Sequence, residues 1–126
     1  MSTIYNSREQ GLQGEDAAVE HLKRQGYRIR TRNFRVPFGE IDVVAEERGV
    51  ICFVEVRLRG SDAFGTPAET VTFHKRRRLR LAAEAYLKAE NLHGRRARFD
   101  VVSLRKSPDG GCRIELFRNA FQVDPS

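Results

Sequence analysis

The sequence predicts an α/β domain, a mixed five-stranded sheet flanked by helices with the element order α-β-β-β-α-β-β. Three observations predict this fold. Two long segments carry apolar residues at helical spacing, five short segments are apolar or alternating, and turns rich in Gly, Pro, Asn or Asp separate them. With 126 residues the chain can form a core without disulfide bonds, so we expect one domain over residues 1–126.

The first half of the chain contains one predicted helix and three predicted strands. The helix covers residues 9–25, and Gly26 is well suited to end it. Residues 27–36 alternate largely between apolar and basic side chains, which is typical of a half-exposed strand. A turn, a strand, a second turn and a third strand then follow at residues 37–39, 40–47, 47–49 and 50–58.

The second half begins with a loop over residues 59–64. Thr66-Pro67-Ala68-Glu69 favours a helix start, because proline suits the first helical position and Glu69 can close a capping box. Thr72 is a second candidate N-cap for the long helix, which is predicted to end near Asn91. A strand, a turn and a final strand follow at 97–105, 107–111 and 112–117, and frayed termini are expected at 1–8 and 122–126.

Composition narrows the classes of partner. The formal net charge is +6 and the sequence pI is about 9.9, which favours a polyanionic partner such as nucleic acid. No apolar stretch reaches the length of a membrane span and the N-terminus lacks a signal-peptide core, so we expect a cytoplasmic protein with no membrane partner. The two cysteines are too few for a disulfide framework and lack zinc-ligand spacing.

Two acids in the predicted sheet indicate chemistry. Glu55 interrupts an apolar run that is typical of a buried strand, where an ionised carboxylate is costly unless a cation or hydrogen bonds satisfy it. If strands 40–47 and 50–58 pair as a hairpin, Asp42 can lie close to Glu55. Two converging carboxylates favour Mg²⁺ or Mn²⁺ as a cofactor. The alternatives are that Glu55 pairs with Arg57 and that Asp42 satisfies backbone groups near the hairpin.

The spacing of Asp42 and Glu55-Val56-Arg57 resembles the PD-(D/E)xK nuclease pattern. The whole chain from about residue 11 to 121 also resembles the YraN-type family, a group of small uncharacterised bacterial proteins with a predicted restriction-endonuclease-like fold, similar to archaeal Holliday-junction resolvases. The segments that carry this resemblance are 14–18, 39–42, 53–57, 75–79 and 98–102.

The resemblance implies a role for each acid. Asp42 and Glu55 would ligate a divalent metal, and Glu15 would lie beside it; the alternative for Glu15 is a solvated glutamate in the first helix. The nuclease pattern has lysine where this chain has Arg57, and arginine can hardly transfer protons, although it can stabilise phosphate charge. We therefore hypothesise that Lys75, at the start of the long helix, supplies the missing ammonium group.

Basic residues cluster in the long helix and the first strand. His74 to Arg80 contains five formal positive charges without an acid in the same turns. Such a cluster suits sequence-independent contacts with the phosphate backbone, and its alternative is an ordinary solvated face. The predicted nucleic-acid-binding residues are Arg30, Arg32, Arg76, Arg77, Arg78 and Arg80.

These observations predict a metal-dependent nuclease that acts on branched or structured DNA by recognising its backbone and shape. No base-reading motif is visible, and RNA remains an open alternative as the nucleic acid. Resolvase-like action would require a homodimer. The alternative functions are a non-catalytic nucleic-acid-binding module of the same fold, or a small adaptor for DNA repair or uptake. For Asp100, in the fourth strand, we expect a structural hydrogen-bonding role.

Overall fold

The chain follows the predicted order of elements, and the predicted fold class is confirmed. The computed structural model describes residues 7–60 and 65–122, with side chains from residue 14 onward. Within the frayed ends predicted at 1–8 and 122–126, residues 1–6 and 123–126 lie outside it, as do the loop residues 61–64, whereas Ser7 and Arg8 are helical and begin α1. The helices are α1 (Ser7–Arg24) and α2 (Phe73–Ala89), with a 3₁₀ turn at Pro67–Thr70. The strands are β1 (Arg28–Val36), β2 (Gly39–Glu47), β3 (Val50–Arg59), β4 (Ala97–Lys106) and β5 (Cys112–Phe121).

The five strands form one sheet in the order β1-β2-β3-β4-β5. β3 and β4 are parallel, and every other neighbouring pair is antiparallel. Tight turns suffice for the antiparallel pairs, as between β2 and β3, where Arg48 and Gly49 both have positive φ. The parallel pair requires a crossover connection, which the 3₁₀ turn and α2 provide.

The two helices cover opposite faces of the sheet. Ala18, Val19 and Leu22 of α1 pack against one face, and Leu79, Ala82 and Tyr86 of α2 pack against the other. Alternation along the strands supplies both cores, because successive side chains point to opposite faces. None of the described helices is long and apolar enough to cross a membrane.

The predicted helix start at Thr66 is confined to a single 3₁₀ turn. Glu69 accepts a hydrogen bond from the Thr66 N–H group at 3.3 Å, as the capping box predicts, but Val71 is extended and ends the turn. Val71 is buried in the core between the sheet and α2, so its packing outweighs continuation of the helix at this residue. Thr72 then caps α2, its hydroxyl accepting from the Lys75 N–H group at 3.2 Å.

The last strand runs four residues beyond its predicted end at Phe117, to Phe121. The pairing between β4 and β5 shifts between Phe99 and Val101, and Asn119 adopts a positive φ of 51° there. This irregularity lets the strand continue, because the Asn119 N–H group donates to Asp100 instead of to a ladder partner. The sequence pattern offered no sign of it.

A buried polar cluster on the α1 side of the sheet surrounds Asp100, which is fully buried. Its carboxylate accepts hydrogen bonds from Tyr27 Oη at 2.7 Å, Arg98 Nε at 2.9 Å and the Asn119 N–H group at 2.8 Å. Arg98 also donates to Glu47, which Arg118 contacts through two further hydrogen bonds. The predicted structural role of Asp100 is therefore confirmed, since every nearby donor is used to satisfy the cluster.

Glu47 should make the fold sensitive to acid. Hydrogen bonds from Arg118 and Arg98 lower the pKa of Glu47 to about 2, from an ordinary value of 4.5. A lowered pKa stabilises the fold above pH 4.5, and that contribution is lost as the pH falls towards 2. We expect Glu47→Gln to cost about 1–2 kcal/mol at pH 7, after solvent screening, and little at pH 2. Melting temperatures of both proteins across this range test it; an equal loss at every pH would contradict it.

Candidate active site

Asp42 and Glu55 lie side by side where β2 and β3 begin to separate. The paired register of the two strands starts at Val43 and Val54, one residue from each acid. Beyond that pair, the Val56 N–H group donates to Asp42 Oδ2 at 2.8 Å. The Asp42 side chain thus accepts the hydrogen bond of a backbone N–H group where the pairing between the two strands ends. Asp42 therefore satisfies a backbone group, as the alternative interpretation predicts, and it also lies close to Glu55.

Glu55 is buried and Asp42 is half-buried, and each carboxyl group makes the other harder to ionise. Burial, followed by repulsion from Asp42, raises the pKa of Glu55 to about 7, while the charges of Lys75 and Arg57 act against this rise. Burial also raises the pKa of Asp42; the Val56 hydrogen bond opposes this, and the charge of Glu15 adds to it. Without a further cation the doubly ionised pair is therefore unfavourable.

Lys75 is the cation nearest to this pair. Its Nζ lies 3.5 Å from Glu55 Oε1, and its backbone is held in the first turn of α2 by the Thr72 cap. The ammonium group reaches the carboxylates from the α2 face of the sheet. The prediction that Lys75 can supply an ammonium group at the site is thus compatible with its position.

Arg57 is held away from the pair by the 3₁₀ turn. Its Nε donates to Thr70 Oγ1 and its Nη2 to the Thr70 carbonyl oxygen, both at 3.1 Å. Only Nη1 approaches Glu55, at 3.9 Å from Oε1. The alternative pairing of Glu55 with Arg57 is therefore present but longer than the contact with Lys75. Thr70, which sequence reasoning missed, has no motif that reveals its role.

Besides burial, the negative charge of Glu15 acts on Asp42 and helps to raise the pKa of that carboxyl group. Glu15 lies on α1 and accepts a hydrogen bond from Asn33 Nδ2 at 3.2 Å, and Arg32 Nη2 lies 3.9 Å from its carboxylate. Asn33 has a φ of 54°, a left-handed conformation that asparagine tolerates better than most residues. Sequence reasoning missed Asn33, although it breaks the apolar and basic alternation of β1.

The model of the uncharacterised protein family UPF0102 matches residues 14–104, a range that contains all five predicted catalytic residues. The chain belongs to the UPF0102 family. This confirms the family predicted from the sequence motifs, and the mixed sheet is consistent with the restriction-endonuclease-like superfamily.

Three UPF0102 relatives illustrate the extent of the similarity. The protein of Persephonella marina is 43% identical over 114 residues, covering 90% of this chain and 94% of the relative. That of Myxococcus xanthus is 52% identical over 97 residues, 77% of each chain. That of Symbiobacterium thermophilum is 47% identical over 117 residues, covering 93% and 99%. Their descriptions give the family alone.

Three of the arginines predicted to bind nucleic acid make contacts with other residues of this UPF0102 protein. Arg30 donates to Tyr86 Oη at 3.2 Å and lies near Glu46 and Glu90. Arg76 donates to the carbonyl oxygens of Val71 and Ala68, and Arg80 pairs with Glu84 at 3.0 Å. These contacts give Arg30, Arg76 and Arg80 structural roles, which their position in a basic run does not reveal.

The other three predicted arginines are more exposed. Arg77 and Arg78 are exposed on α2, and Arg32 lies beside Glu15 while also pairing with Asp16 at 2.7 Å. Arg78 borders a cleft of about 240 Å³ that Lys75 also lines, between α2 and the β1–β2 turn. Arg35, outside the predicted binding set, is a further lining residue. The cleft therefore opens beside the carboxylate pair and carries positive charge.

The described side chains contain no cluster of three or more His, Cys, Asp or Glu residues that could hold a metal. Any divalent cation at Asp42 and Glu55 would consequently have two protein carboxylates and several open coordination positions. Mg²⁺ is commonly bound in this way, through one or two carboxylates with water and substrate phosphate completing its shell. The donor set therefore fits a hard divalent cation, and the mutual repulsion of the pair favours one.

Proposed function

We propose that this UPF0102 protein is a divalent-metal-dependent nuclease acting on branched or structured DNA. One observation carries the proposal: the buried carboxylate of Glu55 and the half-buried carboxylate of Asp42 lie together, with the Lys75 ammonium 3.5 Å from Glu55. Groups of this type are suited to phosphodiester hydrolysis. The exposed arginines and the adjoining cleft suit a phosphate backbone as the ligand.

Each residue of the site has its own role in the proposed reaction. Asp42 and Glu55 hold Mg²⁺ or Mn²⁺, which supplies Lewis-acid stabilisation of charge on the phosphate oxygens. Lys75 places its ammonium group against the same carboxylates, where it can orient the attacking water and stabilise phosphate charge. Arg57 is a positioning residue, because its hydrogen bonds hold Thr70 and the 3₁₀ turn that precedes α2. Glu15 contributes negative charge from α1.

The phosphate-binding surface consists of the exposed cations around the cleft. We assign to it Arg35 and Arg78, which line the cleft, and Arg77, which is exposed on α2. The other predicted residues, Arg30, Arg32, Arg76 and Arg80, are used in internal contacts. No element of this surface is suited to base readout, which supports recognition of backbone and shape. Resolvase-like action on a four-way junction would further require a homodimer, with one active site for each strand cut.

DNA affinity should depend steeply on salt. If about four phosphates are contacted, the dissociation constant for a duplex should rise roughly 100-fold between about 50 and 200 mM salt. Arg77→Ala should reduce the slope of log K against log salt by about one unit. Lys23→Ala, which removes an exposed cation about two turns of α1 beyond Glu15, should leave that slope unchanged. A flat salt response would refute this surface.

Cleavage of a labelled panel tests the proposed activity. The panel contains a four-way junction, a flap, a single strand, a linear duplex and an RNA strand, each incubated with Mg²⁺, Mn²⁺ or EDTA. Glu55→Gln is the inactive control, and Glu84→Gln, at an exposed glutamate of α2, is the matched active control. Metal-dependent cutting lost only in Glu55→Gln supports the nuclease. No cutting of any substrate refutes it.

The second candidate is a non-catalytic nucleic-acid-binding module. The Lys75–Glu55 ion pair favours it, because an ammonium group at 3.5 Å partly neutralises the buried carboxylate without a metal. In that case the panel is bound but uncut, and Glu55→Gln binds as the wild type does. Absence of binding at low salt would instead favour a small adaptor for DNA repair or uptake.

A further inference from the structure

An exposed aromatic residue lies in a turn that borders the cleft. Phe38 has 45% of its surface exposed in the two-residue turn between β1 and β2. Its neighbours Val36 and Gly39 both line the cleft. A single exposed apolar side chain needs no ligand to explain it, but an aromatic ring beside a cationic cleft can stack on a nucleic-acid base.

The turn that carries Phe38 is fixed to α2 by two contacts. Arg78 Nε donates to the Phe38 carbonyl oxygen at 3.3 Å. Gly39 lies so close to α2 that a Cβ atom there would come within 2.6 Å of the Arg78 carbonyl oxygen. Only glycine permits this approach. Phe38 is therefore presented on a rigid support and not on a freely moving loop, which reduces the entropic cost of using it in binding.

The charges of the cleft determine what can bind below Phe38. Among the described residues that line it, Lys75, Arg78 and Arg35 are basic and Glu40 is acidic, and Arg35 pairs with Glu40 at 3.2 Å. The lining is thus net positive, and Lys75 is shared with the carboxylate pair. A phosphate bound here would share Lys75 with the carboxylate pair, and the turn that carries Phe38 would border its nucleotide.

We propose that Phe38 stacks on an unpaired base whose 5′ or 3′ phosphate occupies this cleft. The proposal rests on the nuclease function and specifies its substrate class: nucleic acid with an unpaired base beside the cleaved bond. A base within continuous duplex is stacked on both sides and cannot accept the ring without unstacking, which costs free energy. Flaps and single strands present such a base without that cost, whereas a fully paired junction does not.

Phe73 provides a matched control. It is even more exposed, at 76%, but lies two residues before Lys75 on α2. At about 100° per residue, its side chain points to the opposite side of the helix from Lys75. Phe38→Ala and Phe73→Ala therefore remove the same exposed ring from two places, only one of which is the cleft. Because both rings are exposed, both variants should fold, as melting temperatures will verify.

Binding in EDTA separates this inference from catalysis. A flap oligonucleotide carries 2-aminopurine at its unpaired base, and a linear duplex of the same length is the reference. Phe38→Ala should weaken flap binding about 5- to 100-fold and change duplex binding less than about twofold. Stacking should quench 2-aminopurine in the wild type and in Phe73→Ala but not in Phe38→Ala. Phe38→Tyr should retain both affinity and quenching.

Two patterns would overturn the inference: equal weakening of flap and duplex by Phe38→Ala, or the same flap-specific loss in Phe73→Ala. The two proposals fail separately. Cleavage that is indifferent to Phe38 would refute the stacking role and leave the nuclease intact. Flap binding that needs Phe38 in a wild type that never cuts would refute the nuclease and leave the stacking role intact.

Discussion

Glu55→Gln is expected to abolish cleavage and, at the same time, to raise the melting temperature of the metal-free protein at pH 8. Glutamine keeps the size of the side chain and removes the charge that burial and Asp42 oppose. Cleavage should fall at least about 10²–10³-fold, because the metal and the charge stabilisation it brings are lost. Stability should rise by about 1–3 kcal/mol at pH 8.

The pH dependence follows from the direction of the pKa shift. The pKa of Glu55 is raised from 4.5 to about 7, so the folded state resists ionisation. Its destabilising effect is absent below pH 4.5, grows as the pH rises through 7, and is complete above it. The stability gained in Glu55→Gln should therefore vanish at pH 4. Melting curves at pH 4, 6 and 8 measure this.

Divalent metal should reverse the order of stabilities at pH 8. A cation that binds the folded state alone stabilises it by RT ln(1 + c/Kd), where c is the free cation concentration and Kd its dissociation constant. Mn²⁺ should thus raise the melting temperature of the wild type and leave that of Glu55→Gln unchanged. A wild type that is already more stable than Glu55→Gln at pH 8 without metal would contradict the electrostatic account of the site.

Lys75→Ala is expected to cost far more activity than Arg57→Ala. Lys75 is the closer cation to Glu55, at 3.5 Å, whereas two of the three guanidinium nitrogens of Arg57 are bound to Thr70. Removing the ammonium group should lower single-turnover cleavage about 10²–10³-fold. Arg57→Ala should lower it less than about tenfold and instead reduce stability by about 1–2 kcal/mol, through loss of the Thr70 hydrogen bonds.

Two further variants sharpen this comparison. Lys75→Arg should restore little activity, because a guanidinium group keeps the charge but not the compact geometry or adjustable pKa of an ammonium group. Thr70→Val should destabilise the protein as Arg57→Ala does, since it breaks one of the same contacts. If Lys75→Ala retains full activity while Arg57→Ala loses it, Arg57 performs the role assigned here to Lys75.

Local sequence pattern was sufficient to predict most of the fold. The apolar run before Glu55 and the Arg48-Gly49 turn specify β3 and its hairpin with β2, because strand alternation and a positive-φ turn act over a few residues. The N-cap at Thr72 was readable for the same reason. The conformations of Val71 and Asn119 could not be predicted in this way. That of Val71 depends on its burial, and that of Asn119 depends on a hydrogen bond to a residue 19 positions away.

The candidate site was predictable only in part. Pairing of β2 with β3 follows from the hairpin, and with it the proximity of Asp42 and Glu55. The sequence did not indicate which groups each arginine contacts, because the internal contacts of Arg30 and Arg76 depend on how neighbouring elements are arranged in three dimensions. Thr70 likewise binds Arg57 and so leaves Lys75 as the closer cation to Glu55, and no motif indicated this role of Thr70.

The central claim is that Asp42 and Glu55 together hold one divalent cation. Titration of the protein with Mn²⁺, with free Mn²⁺ followed by its electron paramagnetic resonance signal at pH 8, tests it most directly. We expect one site in the wild type and in Glu84→Gln, and loss of that site in both Asp42→Asn and Glu55→Gln. Mn²⁺ binding that persists in both variants, or no binding to the wild type, would contradict it.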